Sequence, residues 1–255
     1  MGQIVCLANQ KGGVGKTTTC VNLCAAVRDR HRKTLLVDAD PQGNATTGMG
    51  VDKRSRNTLY EVLMDGVPAE EAIIQTKFGD VLPGNLNLSG AAVELVDAPD
   101  REKVMKKALD PLREKYDYIF IDCPPSLGML TINAFAAADS VLIPMQCEYY
   151  AMEGLTDLLT SMRLTKRHYN QQLKIEGIIL TMYDRRLSFS GQVAAEIGQY
   201  FGKAVYDTVI PRNVRIAEAP SHGKPVTAYS RLSRGASAYE SLAAEFLKHN
   251  HSMDI

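Results

Sequence analysis

No apolar run in this 255-residue sequence approaches the ~20 residues that a membrane span requires. The start, Met1-Gly2-Gln3-Ile4, has no basic segment leading into an apolar stretch, so nothing there reads as a secretory signal. A cytoplasmic protein is expected. Proline-, serine- or glycine-rich tracts, internal repeats and low-complexity segments are also missing. Without those marks of a boundary, residues 1–255 read as a single domain, and 45% hydrophobic residues are enough for a sizeable core. The five cysteines, Cys6, Cys20, Cys24, Cys123 and Cys147, form no C-x-x-C pair, and an odd count without ligand spacing argues against a disulfide framework or a zinc site. Cys20 and Cys24 share a helix face, but two ligands do not make a metal site, and buried free thiols are expected. Net charge is absent too, which by itself favours no polyanionic partner. Its distribution is uneven. Residues 161–234 hold 12 Lys/Arg against 5 Asp/Glu, a local net charge of +7, which is a possible electrostatic footprint for a phosphate polymer.

What is present begins at residue 4. The apolar run 4–8 leads directly into Asn9-Gln10-Lys11-Gly12-Gly13-Val14-Gly15-Lys16-Thr17-Thr18, a strand feeding a phosphate-binding loop. Three glycines in four positions remove the side chains that would block close approach, so successive backbone N–H groups can converge on phosphate oxygens at the start of a helix. Lys16 supplies a point charge for the β and γ phosphates, and the Thr17 hydroxyl is placed to ligate Mg²⁺. The strict pattern G-x-x-x-x-G-K-[ST] fails because Gln10 stands where its first glycine belongs, and an extra lysine, Lys11, follows.

Beyond the loop, residues 17–30 read as a helix and residues 34–38 as a short buried strand that ends in Asp38-Ala39-Asp40-Pro41. Carboxylates at the C-terminal edge of a strand beside a phosphate loop are well placed for Mg²⁺ and water. Residues 46–57 are polar and glycine-containing and read as a mobile switch loop. Short helical patterns cover 59–64 and 70–74, a strand candidate lies near Val81 and Leu82, and residues 100–115 form a longer amphipathic helix whose lysines, Lys103, Lys106 and Lys107, read as a solvated face. Residues 116–122 are a second buried strand ending in Asp122, the Walker B arrangement in which a carboxylate holds a water on Mg²⁺; Pro124 fixes its exit. Strands at 140–144, 175–182 and 205–211, with a helix at 152–164, complete the alternation. The fold class is α/β, a doubly wound, mainly parallel sheet with helices on both faces.

The string KGGVGKTT at residues 11–18 resembles the deviant Walker A motif of the ParA/MinD ATPases. Further segments, LLVDADPQGN at 35–44, IFIDCPPSL at 119–127, PMQCEYYAMEG at 144–154 and IPRNVRIAEAPSHGKP at 210–225, make nearly the whole chain resemble the chromosomal ParA proteins of the Soj type. That resemblance implies an ATPase using ATP and Mg²⁺ that forms a sandwich dimer around two nucleotides. It also implies non-specific binding of double-stranded DNA by the dimer, stimulation by a ParB-type centromere-binding protein, and association with the nucleoid. Carried over by position, Lys11 reaches the partner subunit's phosphates and the small size of Gly12 permits that approach. Gly13, Val14, Gly15, Lys16, Thr17 and Thr18 cradle the phosphates, Asp40 positions or activates the attacking water, and Asp38 and Asp122 lie around Mg²⁺. Pro211 and Asn213 match adenine-contacting positions. Arg186 and Arg215 match DNA-contacting arginines, with Arg185, Arg212, Arg163 and Arg234 as possible helpers.

Two other readings start from the same loop. A MinD-like cell-division ATPase would carry a basic amphipathic C-terminal helix for the membrane, whereas the apolar set Leu242, Phe246 and Leu247 is followed by little positive charge. A metabolic P-loop kinase or ligase would phosphorylate a small molecule. Because the phosphate loop starts near residue 10, an N-terminal helix-turn-helix domain and operator-specific repression are not expected.

Overall fold

The structure is a computed structural model that describes residues 1–97, 99–148, 151–184 and 186–251. Six strands form one parallel sheet: β1 (Gln3–Leu7), β2 (Thr34–Asp38), β3 (Asp80–Leu82), β4 (Tyr118–Asp122), β5 (Ser140–Gln146) and β6 (Lys174–Thr181), in the order β3-β2-β4-β1-β5-β6. Around it run α1 (Lys16–Arg28), α2 (Asn44–Gly48), α3 (Leu59–Met64), α4 (Ala69–Ala72), α5 (Leu88–Glu94) and α6 (Val104–Leu109). In the second half come α7 (Met129–Ala137), α8 (Ala151–His168), α9 (Ser188–Phe201), α10 (Val214–Glu218), α11 (Val226–Tyr229) and α12 (Arg234–His251).

Successive residues of each strand point to opposite faces, and both faces are covered, so the strand centres are continuous apolar runs rather than alternating ones. Ile4, Leu35, Ile119, Val141 and Ile178 pack into one core with side chains of α3 to α9; Val5, Leu36, Phe120, Leu142 and Ile179 pack into the other with α1, α2 and α12. This is the doubly wound α/β arrangement read from the sequence. All five cysteines are buried and free.

Three local readings are corrected. Residues 205–211 do not form a strand; only Val205 and Pro211 make isolated bridges, to Ile178 and Tyr183. Pro211 has no N–H to give, and the N–H groups of Asp207 and Thr208 donate instead to the Glu245 carboxylate of α12, at 2.7 and 2.9 Å. Residues 100–115 are not one helix: α6 gives way to a 3₁₀ turn at Asp110–Glu114 that contains Pro111. Its Arg113 is 14% exposed, donating to both oxygens of Asp139 at 2.7 and 3.1 Å and to the Gly2 carbonyl. Residues 46–57 do not begin as a loop, because Gly43 in the left-handed region opens α2 and Thr46 is buried.

Candidate functional site

The glycine-rich loop joins β1 to α1 at the C-terminal edge of the sheet. Gly13 and Gly15 take φ of 74° and 87°, the left-handed region that suits glycine, and Gly15 immediately precedes α1. Neighbouring strands hold the loop in place. Thr181, the last residue of β6, donates its hydroxyl to the Val14 carbonyl at 2.7 Å. Asn9 donates its amide to the Pro144 carbonyl at 2.8 Å and accepts the Lys11 N–H at 3.0 Å. Lys16 is buried, and its ammonium donates to the Lys11 carbonyl at 2.9 Å. Burial lowers the Lys16 pKa, opposed by Asp122, Cys123 and Asp40. Lys11 points the other way, out to an ion pair with Glu148. Gly12 is exposed, and a Cβ added there would meet nothing within 4 Å in its own chain.

The carboxylates converge through register rather than sequence. Asp38 ends β2, Asp122 ends β4, and the two are partners across the parallel pair, both fully buried. Asp38 Oδ2 accepts the Thr46 N–H and hydroxyl, each at 2.7 Å, and Thr46 Oγ1 in turn accepts the Gly84 N–H at 2.9 Å. Even so, burial pushes the Asp38 carboxyl up to about 6. At Asp122 both oxygens are buried without a hydrogen-bond partner. Burial, and after it the charge of Asp38, raise its pKa well above the carboxylate range. The Thr17 hydroxyl and the Lys16 ammonium favour the ionised form, although Thr17 does not reach hydrogen-bond geometry. Asp40 is 8% exposed and accepts the Gln42 N–H at 2.9 Å.

Two orphaned oxygens beside a second buried carboxylate fit a hydrated divalent cation. Waters on such an ion would donate to Asp122, and its charge would offset the repulsion between the two acids. Without it the pair opposes folding. For Asp38 the sign follows from a folded pKa near 6 and an unfolded value near 3.8. The folded chain binds the proton more tightly, so that contribution is fully present below about pH 4 and is lost as pH rises through 6. Asp38→Asn, which keeps an acceptor for Thr46, is therefore expected to stabilise the nucleotide-free chain at pH 7.5 by on the order of 2 kcal/mol and to have little effect at pH 4. Thermal melts across that window check it; an equal effect at both ends would mean that Asp38 is not titrating.

Pro211, Asn213, Arg186 and Arg215 come from the chain that follows β6. Pro211 bridges Tyr183, two residues past Thr181, which brings the 210–215 segment beside the loop. Asn213 caps α10, its side-chain Oδ1 accepting the Arg215 N–H at 2.9 Å. Arg186 and Arg215 are exposed but not bare: Arg186 donates to Asp184 at 3.1 Å and Arg215 to Glu218 at 2.8 Å. Arg163, Arg212 and Arg234 are also exposed, while Arg185 lies outside the described residues. Sequence reasoning missed Asn9, Thr46, Glu148, Thr181, Asp184 and Glu218. For Asp184 the signal was there, since an aspartate two residues before an arginine can pair with it locally. For Glu148 and Thr181 there was none.

A protein-family model described as an AAA domain matches residues 2–175. The chain is 52% identical over 248 residues to the sporulation initiation inhibitor protein Soj of Bacillus subtilis, covering 96% of this chain and 98% of that one. It is 50% identical over 251 residues to the chromosome partitioning protein ParA of Myxococcus xanthus, covering 97% and 89%. Among solved structures it superposes with a TM-score of 0.87, at 36% identity over 99% of this chain and 96% of the other, on cobyrinic acid a,c-diamide synthase from Mycobacterium smegmatis with bound ADP and magnesium.

Proposed function

We propose, for a chain that belongs to the ParA (Soj) family of chromosome-partitioning ATPases, a cycle in which ATP makes a dimer, the dimer holds DNA, and slow hydrolysis releases both. The observation that carries the ATPase reading is the buried Lys16 within electrostatic reach of Asp122 and Asp40 at the glycine loop, with Asp122 paired in register to the buried Asp38. Residues 1–255 act as one ATPase domain. Backbone N–H groups from Gly13 to Thr18 and the Lys16 ammonium bind the phosphates, while Pro211 and Asn213 hold the adenine. Thr17 directly, and Asp38 and Asp122 through water, hold Mg²⁺, which when bound screens charge on the β and γ phosphates. Asp40 orients the attacking water.

Phosphoryl transfer needs positioning and charge stabilisation more than covalent chemistry, so a lysine arriving from a second subunit can tie turnover to dimerisation. Lys11 has that role. Gly12 is compatible with it: no atom of its own chain lies within 4 Å of a Cβ built there, so the position is open to approach by a second subunit. Arg186 and Arg215 contact DNA phosphates, and a dimer doubles the patch. The apolar side of α12 is spent on the sheet, where Phe246 packs on Tyr118 and Phe120, so that side of the helix is not offered to a membrane. Among the described residues no helix is long and apolar enough to cross a membrane; residues 252–255 at the end of the tail lie outside them.

The ligase reading has one observation in its favour, the close superposition on a synthase that holds ADP and magnesium. Turnover separates the two. ATP hydrolysis is expected to be slow alone and to rise at least tenfold when DNA and a ParB-type protein are both present. Hydrolysis that ignores them and requires a small carboxylic acid with an amide donor would sink the partition reading.

A further inference from the structure

Every polar group of Lys11 is held within its own chain. The N–H donates to Asn9 Oδ1 at 3.0 Å, the carbonyl accepts the Lys16 ammonium at 2.9 Å, and the Lys11 ammonium pairs with the Glu148 carboxylate just past β5. Asn9 is itself bonded to the β5 carbonyl of Pro144, so backbone and side chain of Lys11 are both fastened to one strand. Glu148 has no part in the cycle above. An ammonium on Glu148 cannot at the same time sit on the phosphates of a second subunit.

We infer that Glu148 is a positioning residue for Lys11, a latch within the chain that sets how much ATP the dimer needs. This rests on the dimer reading given above. Release has two stages. The Lys16 ammonium is the group that incoming β and γ phosphates attract, and in taking it they withdraw its hold on the Lys11 carbonyl. What then keeps Lys11 at home is the Glu148 pair. The two side chains are 37% and 49% exposed, so the pair is weak enough to exchange for a triphosphate and strong enough to matter. An exposed pair of this kind shifts an equilibrium by about two- to fivefold.

The test is an ATP titration of dimer formation by light scattering after size exclusion, in an Asp40→Ala background so that the dimer persists. Glu148→Gln is expected to lower the half-maximal ATP concentration by about two- to fivefold. Glu148→Asp, which keeps the charge, stays near the parent, and Glu148→Gln added to Lys11→Ala changes nothing further. A residue that merely supports the fold would move the thermal melt and would not depend on Lys11. If the parent dimerises while Glu148→Gln needs the same or more ATP, the latch is wrong and the dimer reading stands. A parent that stays monomeric at saturating ATP overturns both.

Discussion

Asp40→Ala is expected to lower ATP turnover by about 10²- to 10³-fold, the size of a lost water-positioning carboxylate, while ATP binding survives and DNA-bound dimer accumulates. The separation follows from what Asp40 touches. Among the described residues its carboxylate takes one hydrogen bond, a local one from the Gln42 N–H, and it is bonded to neither Lys16 nor the loop. Its charge raises the pKa of both Asp38 and Asp122, so removing it relieves repulsion toward an incoming triphosphate, and affinity should hold or tighten. The dimer depends on Lys11 and the phosphates, which the substitution spares. Asp40→Asn keeps the acceptor for Gln42 and controls for a disturbed turn. Single-turnover hydrolysis and nucleotide binding measured side by side check the prediction, and normal hydrolysis in both variants would remove Asp40 from the mechanism.

The second large effect is on DNA. Replacing Arg186 and Arg215 together by glutamate is expected to reduce DNA retention by about 10²-fold or more at moderate salt, while the ATP-dependent dimer still forms. Both side chains are exposed, 90% and 55%; Arg186 pairs with Asp184 on its own loop and Arg215 with Glu218 on α10, so reversal breaks no buried ion pair. Four arginines per dimer leave the surface. If each meets one phosphate, the slope of log affinity against log salt becomes shallower by about 4. The local pairs add an opposite test within the same experiment. Asp184→Asn frees Arg186 from its neighbour and should strengthen retention by a few fold. Retention that is unchanged in the double reversal would place the DNA surface elsewhere.

Much of the fold was legible because its signals are local. The runs ending in Asp38 and Asp122 are apolar throughout, which only a doubly covered parallel sheet explains, and β2 and β4 lie where those runs do. Where the reading failed, a distant partner decided. The 205–211 segment has strand-like residues, and the Tyr206 and Ile210 N–H groups do reach β6 carbonyls, but those of Asp207 and Thr208 between them are taken by Glu245, nearly forty positions on. Thr46 looked like part of a polar loop until a buried aspartate required its hydroxyl. Arg113, placed by the pattern only off the apolar stripe, is held by Asp139 and the Gly2 carbonyl.

By itself the sequence determined the phosphate loop, the order of strands and helices and the family, since glycine spacing and hydrophobic period act on φ and ψ within a few residues. Tertiary structure alone decided which charges share a low-dielectric space. Register across β2 and β4 put two carboxylates side by side and left Asp122 unsatisfied. The end of β5 brought Glu148 to Lys11, 137 positions on. Electrostatic energies depend on separation and burial in space, and neither is a property of residues adjacent in the chain.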